Sequence, residues 1–451
     1  MQIGIDFGTS YCAAAAIVEG ELTLIRFGDA QQLRTAVFFP EVVPSPDDFV
    51  LTPLLSAQVD ALVRSARTQP PQGADEQRRR DAIRAVRRQW MEEQLRAGSG
   101  AVSVASLQHA LFGEEAVEAY LEEGTGHLIE SPKSMFGYRL DPHVRRTIVS
   151  IAAHMLEHIL LTATRQLGIS VRGAVIGRPV EFRSSMGAAG GEQAIALLRE
   201  AAAMAGFDHV SFLEEPAAAA MHYHQSLPHR QQALIVDIGG GTTDLAHAEL
   251  GGAEPPRIRR SWGLPKGGTD LDTGINLHSF MPHFGKHAIA LPVHHYVDAA
   301  SVHIPPAQRA FRQHDYRLVD APFGTRLRAL QQLGATTRLN RLAEQIKVEL
   351  GHADDTRVAL DFIEANLHVE VDQADFMQAA EGFLQRLRRL LRQAGDEIQA
   401  APDSIFITGG SSRSPQLRAG VRDCFPDIAM VLGDPSLGVV SGLAVAAARV
   451  A

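Results

Sequence analysis

The chain has 451 residues, 45% apolar and 21% charged, a composition that excludes an intrinsically disordered protein and predicts roughly two to four domains. Its formal net charge of −9 argues against a general nucleic-acid binder, because such proteins usually carry an excess of basic residues. Cys12 and Cys424 are too few for a disulfide framework or a thiolate zinc site, so we expect a reducing compartment, the cytoplasm. The start does not resemble a secretion signal and no run of about 18 apolar residues is apparent, so neither secretion nor membrane insertion is expected.

The first half opens with a predicted β-meander. Apolar and alternating runs predict strands at 2–8, 13–18, 22–27 and 35–39. An arginine-rich helical stretch over 54–96 follows, and we interpret it as a solvated helical face rather than a partner-binding surface. The remaining elements of this half are a helix at 142–167, a strand at 174–177, a helix at 191–205 and a strand at 210–213.

The second half repeats this order of elements. It has predicted strands at 233–237, 244–250 and 257–262, a mostly helical stretch at about 265–365, a helix at 372–399, a strand at 404–408 and a helix from 438. Two βββαβα halves with insertions predict a doubly wound α/β architecture with mixed sheets and a cleft between two lobes. The predicted lobes are lobe I at 1–228, with core 1–38 and 142–228 and insertion 39–141, and lobe II at 229–451, with core 229–264 and 375–451 and insertion 265–374.

Glycine-rich turns follow an aspartate at the end of a strand in both halves. The first is Asp6 to Ser10, and the second is Asp237 to Asp244, which contains three consecutive glycines and two threonines. Glycines let backbone N–H groups approach an anion closely, hydroxyls add donors, and a carboxylate can hold a divalent cation. A plain hairpin turn also uses aspartate and glycine, but the two long turns favour binding of a phosphate-bearing ligand from both sides.

Four segments carry a resemblance to a known superfamily: Asp6 to Tyr11, Glu215 to Ala219, Asp237 to Thr242 and Gly409 to Pro415. In this order they resemble the first phosphate, connecting, second phosphate and adenosine motifs of the actin, sugar-kinase and heat-shock ATPase superfamily. Ser131 to Gly137 resembles the segment around the active-site lysine of DnaK-type heat-shock chaperones, and the chain looks closest to their YegD-like branch. The resemblance spans residue 2 to about 448. It implies an actin-like ATPase fold, with two duplicated ribonuclease-H-like lobes and helical insertions around a central nucleotide cleft.

The resemblance implies a role for each candidate site residue. Asp6, Asp237 and Asp244 would hold Mg²⁺, largely through its waters. Lys133 would approach the γ-phosphate of ATP and Glu215 would orient the attacking water, with Asp237 and Thr242 completing the catalytic set. The implied nucleotide contacts are Gly8, Thr9, Ser10, Tyr11, Gly239, Gly240, Gly241, Thr243, Gly267, Gly268, Glu344, Lys347, Gly409, Gly410, Ser411 and Arg413.

The adenosine end departs from the family pattern. The family presents Glu-x-x-Lys-Arg-x-x-Ser on a helix over the nucleoside, and this chain keeps Glu344 and Lys347. Val348 stands at the arginine position and Gly351 at the serine position, and an aspartate expected in the last loop is Ser436. Losing one cation–π partner would cost about 0.5 to 2 kcal/mol of nucleotide affinity, so we expect weaker or less base-selective binding.

Three functions stay open on these residues. The first is a DnaK-like ATPase with ATP/ADP and Mg²⁺ as cofactors, in which slow hydrolysis drives opening and closing of the lobes. The second is a bacterial actin-like filament protein, and the third is a small-molecule kinase of the same superfamily. Lys133, Glu215 and the helix that carries Glu344 favour the first.

Partners are expected at the insertions. DnaK-type chaperones continue into a peptide-binding β-sandwich, and since this sequence stops at residue 451 we expect that domain to be absent. A protein partner or client is expected at 39–141 or 265–374, and neither nucleic acid nor a membrane is expected. Two histidine pairs, His154 with His158 and His294 with His295, are present, but no Glu or Cys completes a zinc set, so no metal is expected there.

Overall fold

The computed structural model describes residues 1–40, 49–66, 75–98 and 110–450. The strands are β1 (Gln2–Phe7), β2 (Tyr11–Val18), β3 (Glu21–Leu24), β4 (Leu33–Arg34), β5 (Ala36–Phe39), β6 (Leu111–Phe112), β7 (His127–Glu130), β8 (Gly173–Arg178), β9 (His209–Glu214), β10 (Gln231–Ile238), β11 (Thr243–Leu250), β12 (Arg257–Leu264), β13 (Asp355–Ala359), β14 (His368–Asp372), β15 (Ser404–Thr408) and β16 (Ala429–Leu432). The α-helices are α1 (Pro53–Ala66), α2 (Asp75–Gly98), α3 (Glu114–Glu123), α4 (Pro142–Leu167), α5 (Ala188–Met204), α6 (Glu215–His224), α7 (Gly268–Ile275), α8 (Val293–Ala300), α9 (Pro305–Gln313), α10 (Phe323–Leu330), α11 (Ala335–Glu349), α12 (Gln373–Glu397), α13 (Pro415–Cys424) and α14 (Gly438–Val450).

Two mixed sheets share one topology. The first has the order β3-β2-β1-β8-β9 and the second the order β12-β11-β10-β15-β16. In each, three antiparallel strands come first in the chain and two parallel strands are added by helical crossovers. Asp6 on β1 and Asp237 on β10 therefore occupy equivalent central strands, and the predicted duplicated α/β fold is confirmed.

Two helices made of small residues lie between these sheets. Helix α14 packs against β1, β2 and β8 on one side and against α6 on the other, while α6 also contacts β10 and β11. Their buried side chains include Ala218, Ala219, Ala220, Val440, Leu443 and Ala444. The approach is close enough that a Cβ on Gly442 would lie 1.7 Å from the backbone oxygen of Ala218. Small residues are therefore required where the two halves meet.

The second sheet is covered by the helices that follow β12. Leu234, Val236 and Ile238 of β10 belong to a large apolar core with side chains of α7, α11 and α12. A hairpin of β13 and β14 adjoins this core, although a mostly helical stretch was predicted up to about residue 365. These strands are short and largely polar, with only Val358, Val369 and Val371 buried, and so they give little apolar periodicity.

The described residues form two compact units. One comprises the described parts of 1–38, 111–124 and 128–451, and the other those of 39–110 and 125–127. In the second unit, α1 and α2 pack through Val59, Ala82 and Val86. It lies within the predicted insertion 39–141, and residues 67–74 of the predicted helical stretch lie outside the described residues. The predicted division into lobes at 228/229 stays a prediction.

The arginine-rich helix α2 carries local ion pairs. Arg80 contacts Glu76 one turn away, Arg84 contacts Asp81, and these side chains are exposed. Such pairs at helical spacing are typical of a solvated face.

One helix passes a simple test for membrane spans. Among the described residues, Val144–Leu167 within α4 is long and apolar enough to cross a membrane, with a mean hydropathy of 1.3. Half of that apolar stretch is buried inside the protein, and the core helix of a soluble protein passes the same test.

The contact between α6 and α14 yields a stability prediction. We expect Gly442→Ala to lower the free energy of unfolding by about 1 to 3 kcal/mol or more, because the added methyl meets backbone that cannot rotate away. Gly382→Ala on α12 is the matched control, since nothing lies within 4 Å of its added Cβ, and there alanine should stabilise by up to about 1 kcal/mol. Urea unfolding of both variants measures the difference, and equal stabilities would contradict the packing described.

Candidate functional site

A cleft of about 610 Å³ collects most of the predicted site residues. Its walls include Asp6, Gly8, Thr9, Ser10, Tyr11, Lys133, Glu215, Asp237, Gly239, Gly240, Gly241, Thr242, Gly268, Glu344, Lys347, Gly409, Gly410, Ser411 and Arg413. These residues come from both mixed sheets and from α6, α7 and α11. Residues far apart in the sequence are thus brought to one place, as the paired glycine turns predict.

The two glycine turns meet directly. A Cβ on Gly240 would lie 2.3 Å from Oγ of Ser10, and one on Gly241 would lie 2.1 Å from Oγ1 of Thr9. Only glycine lets the second turn approach the first this closely. A ligand held by one turn is therefore within reach of the other.

Protein donors hold the carbonyl oxygens of both turns. In the first turn, Gly8 O accepts from Thr35 Oγ1 at 2.9 Å and Ser10 O accepts from the Thr35 N–H at 2.9 Å. In the second, the oxygens of Gly239, Gly240 and Gly241 accept from Gly268 N, Thr269 N and Arg183 Nε at 2.8 to 3.0 Å. With the carbonyls fixed in this way, the peptide N–H groups are the groups that these turns can offer to an anion.

Lys133 and Glu215 form a buried ion pair at the bottom of the cleft. Lys133 lies on a short 3₁₀ helix, Pro132–Met135, and its Nζ donates to Glu215 Oε1 at 2.8 Å. Glu215 is the first residue of α6 and precedes Pro216, which suits the first turn of a helix. Burial alone would lower the pKa of Lys133, but the charges of Glu215 and Asp6 more than offset it and raise that pKa. Lys133 is therefore a permanent cation.

Three aspartates crowd around this pair. Burial, followed by the charge of Glu215, raises the pKa of Asp6 to about 7 and that of Asp244 to about 8. The same causes, joined by Asp244 and Asp6, raise the pKa of Asp237 well above its usual value. Asp237 and Asp244 face each other across β10 and β11, where like charges repel. If all of these carboxyl groups were ionised, they would carry more negative charge than Lys133 balances, and the raised pKa values express that repulsion together with burial.

Three predicted residues do not line the cleft among the described residues. Thr243 is fully buried and its hydroxyl donates to the Lys266 oxygen at 2.9 Å, so it anchors the second turn from behind. Asp244 accepts from the Val180 N–H at 2.7 Å and is buried beside the cleft. Gly267 packs against the second turn, where a Cβ would lie 2.6 Å from Gly239 O. The sequence pattern did not separate these three from their neighbours, because strand pairing and the packing of the turns decide which residues reach the cleft.

Glu344, which lines the cleft, is hydrogen-bonded by Arg34, a residue that the sequence did not indicate. Arg34 of β4 donates to both carboxylate oxygens of Glu344, at 2.9 and 3.0 Å, and also contacts Glu130 at 3.1 Å. Arg34 is buried, and the charges of Glu130 and Glu344 outweigh the effect of burial and raise its pKa. A bidentate pair of this kind fixes the Glu344 side chain in one orientation. The sequence feature that could have indicated Arg34 is its position as a charged residue within the apolar run 33–39.

Lys347 pairs with another unpredicted residue. Its Nζ lies 2.6 Å from Asp272 Oδ1, and Asp272 on α7 is buried and lines the cleft. Burial raises the pKa of Asp272 to about 6, against the attraction of Lys347. Val348 lines the same wall with 64% of its side chain exposed. The wall over the predicted nucleoside position therefore has an apolar side chain where the family has a guanidinium.

Arg413 is tied to the loop before α14. Its Nη2 donates to Ser436 Oγ at 2.7 Å, while Asp434 Oδ1 accepts from the N–H groups of Ser436 and Leu437. Ser436, which replaces the expected aspartate, positions Arg413, and Asp434 shapes the turn instead.

Arg183 is a third residue at the site that sequence reasoning missed. It lines the cleft, donates to Gly241 O at 2.8 Å and to Thr269 Oγ1 at 3.1 Å, and pairs with Asp270. It thereby links the second glycine turn to α7. None of the glycine turns or strand ends singled out in the sequence includes Arg183.

Comparison with known proteins agrees with this geometry. Residues 146–275 match the family model described as MreB/Mbl protein, and residues 323–449 match the model described as Hsp70 protein. Chaperone protein DnaK 1 of Synechococcus sp. is 27% identical over 313 residues, covering 65% of this chain and 36% of that protein. Chaperone protein DnaK of Halobacterium salinarum is 29% identical over 311 residues, covering 65% of this chain and 42% of that protein.

Together, these family-model matches and DnaK relatives support an Hsp70-type, actin-like ATPase. Its matches to the DnaK proteins span well under half of their length, 36% to 42% in the two cases given. Membership of the YegD-like branch and the absence of a peptide-binding domain stay predictions.

The crowded carboxylates of this Hsp70-type site lead to a prediction about stability. Because the folded-state pKa of Asp6 is raised to about 7, its contribution is favourable below about pH 4 and is lost as the pH rises through 7. We therefore expect Asp6→Asn to raise the free energy of unfolding of the ligand-free protein at pH 8 by about 1 to 4 kcal/mol, and to leave it nearly unchanged at pH 4.

Denaturation at the two pH values, compared with the exposed-site control Asp427→Asn, measures this gain. A loss of stability at pH 8 would show that the carboxylate of Asp6 is not under repulsion.

Proposed function

We propose that this protein binds ATP with Mg²⁺ and hydrolyses it slowly, using the reaction to switch the cleft between open and closed states. The observation that carries the proposal is the Lys133–Glu215 pair buried among Asp6 and Asp237 where two glycine turns meet. The match to the Hsp70 model supports nucleotide binding, and the separate origins of the two turns in two sheets support a cleft that can open.

The residues present fit a divalent cation. Three carboxyl groups with raised pKa values, of which Asp237 and Asp244 are buried and Asp6 is half-buried, lie near one lysine, and a divalent cation would relieve their mutual repulsion. Asp6 and Asp237 line the cleft and are placed to hold the waters of the ion, while Asp244 supports them from behind. When bound, Mg²⁺-ATP supplies the γ-phosphoryl group and the divalent charge that shields it.

The chain's own residues supply positioning and charge. The N–H groups of Thr9, Ser10, Gly240 and Gly241 would grip the phosphates from two sides, with the hydroxyl of Thr242 as a further donor. Lys133 Nζ would stabilise negative charge on the transferring group. Glu215, hydrogen-bonded to Lys133, would orient the attacking water and accept its proton. The base would lie near Glu344, Lys347, Val348 and Arg413.

Lys133 provides the direct test. We expect Lys133→Ala to lower ATP turnover by about 100-fold or more while ATP remains bound, because a charge that acts in the transition state is lost. The change also leaves Glu215 buried without its cation, which should cost about 3 to 5 kcal/mol of stability. Nucleotide titration shows whether ATP remains bound, and single-turnover hydrolysis measures the chemical step on the ATP that is bound.

Two further variants distinguish a loss of catalysis from a loss of folding. Lys133→Met combined with Glu215→Gln removes both charges of the pair, and should recover stability without recovering turnover. Lys286→Ala is a matched lysine control, since Lys286 donates to Leu277 O outside the residues that line the cleft. Unchanged hydrolysis in Lys133→Ala would remove Lys133 from the mechanism.

Base selection can be tested at Val348. We expect Val348→Arg to tighten ATP binding by about 2- to 30-fold, since it restores a guanidinium beside the predicted base position. Titration of the parent and variant with ATP, ADP, GTP and CTP measures the change, with Met204→Arg on an exposed position of α5 as control. Equal parent affinity for all four nucleotides, unaltered by the variant, would reduce the site to phosphate recognition.

An actin-like filament protein is the second candidate, favoured by the match of residues 146–275 to the MreB/Mbl model. It would give nucleotide-dependent polymers in light scattering, whereas the switch proposed here would not.

We further propose that a protein partner or client docks at 39–141 or 265–374. The proposed location is the cytoplasm, and this proposal rests on the sequence alone.

A further inference from the structure

Three histidine rings converge outside the cleft. His294 and His295 lie in the first turn of α8, and His314 directly follows α9. The ring centroids of His294 and His295 are 4.4 Å apart, and those of His295 and His314 are 3.8 Å apart. One ligand nitrogen from each ring lies within 4.8 Å of the other two. The sequence shows only the adjacent pair, because the turn between α9 and α10 supplies the third ring.

Buried aromatic side chains pack beneath these histidine rings. Tyr316 is fully buried, packs against Phe311 at 5.8 Å between ring centroids, and bonds through its OH to His295 Nδ1 at 3.0 Å. The backbone of His314 is also fixed, since its oxygen accepts from Gln331 Nε2 at 2.8 Å. Positions held in this way do not have to be ordered when a ligand binds.

Two of the rings have a nitrogen available for a ligand. Nε2 of His314 is buried and has no hydrogen-bond partner among the residues that the structure describes. In His295, the tautomer that donates Nδ1–H to the Tyr316 oxygen leaves the Nε2 lone pair for a ligand. An unpaired buried nitrogen is costly in a simple packed cluster, so packing alone does not account for this arrangement.

We propose that His294, His295 and His314 form a binding site for a late first-row divalent cation, with Zn²⁺ as the representative ion. Three imidazoles with one open position are a familiar ligand set for zinc. Tyr316 is the positioning residue, because its hydrogen bond holds the His295 ring in place without contacting the ion.

The geometry needs only a small adjustment. Imidazole nitrogens on one tetrahedral zinc are about 3.3 Å apart, so the three nitrogens must close by at most about 1.5 Å. His294 is exposed and free to rotate toward the other two. Ligand imidazoles must be neutral, so Zn²⁺ binding is expected to weaken at low pH.

Such an ion would tie α8 to the chain that follows α9. Both lie within the predicted insertion 265–374, away from the residues that line the cleft. The site does not depend on the proposed ATPase, and its failure would leave that proposal untouched.

The experiment is calorimetric titration of the full chain with Zn²⁺ in excess Mg²⁺, which keeps oxygen-ligand sites occupied. We expect one Zn²⁺ per chain and a rise in Tm on binding. His294→Ala and His314→Ala should each weaken Zn²⁺ binding at least about tenfold, and Tyr316→Phe about tenfold. Co²⁺ in place of Zn²⁺ should give the visible absorption of a low-coordinate nitrogen site, altered in Tyr316→Phe.

The control is His154→Ala, a histidine on α4 outside the cluster, which should bind Zn²⁺ like the parent. His294→Ala keeps the test valid if His314→Ala fails to fold, because His294 is exposed. Zn²⁺ affinity that is unchanged in His294→Ala and in every folded variant of His314, or lost equally in His154→Ala, would overturn the proposal.

Discussion

Electrostatic crowding at the base of the cleft is the constraint on which the rest of the site depends. Glu215, Asp6, Asp237 and Asp244 surround one lysine in a buried volume, and burial together with mutual repulsion raises the pKa of the three aspartates. A fold gains no stability from such a cluster in the absence of a ligand. Its presence at the meeting point of two anion-binding turns is what points to a cation-assisted reaction on a phosphate.

The duplicated sheets make this crowding possible. Equivalent central strands, β1 and β10, carry Asp6 and Asp237 to the same edge of the cleft, and α6 begins there with Glu215. The helices between the sheets are built from alanine and glycine, which lets the halves approach closely. The positions of the charges are therefore set by the packing of α6 and α14 between the sheets as well as by the local turns.

The predicted nucleoside end of the cleft is organised differently. There the charged residues are already paired: Glu344 with Arg34, Lys347 with Asp272, and Arg413 with Ser436. Pairing fixes the side chains and leaves Val348 as the exposed apolar surface of this wall. The predicted phosphate end is thus crowded with carboxyl groups around one lysine, whereas the charged residues at the predicted base end are paired with one another.

The sequence alone determined the local features: strand ends with Asp6 and Asp237, the glycine turns, the helix boundaries of α4 and α14, and the resemblance carried by Lys133 and Glu215. These depend on neighbouring residues and on hydrophobic period, which a sequence displays directly. Only the tertiary structure decided the partners of these groups. Arg34, Asp272 and Arg183 lie far in sequence from the residues they contact, so local patterns could not supply these partners. Thr243 differs from Thr242 only in the direction of its side chain, which depends on strand pairing rather than on composition.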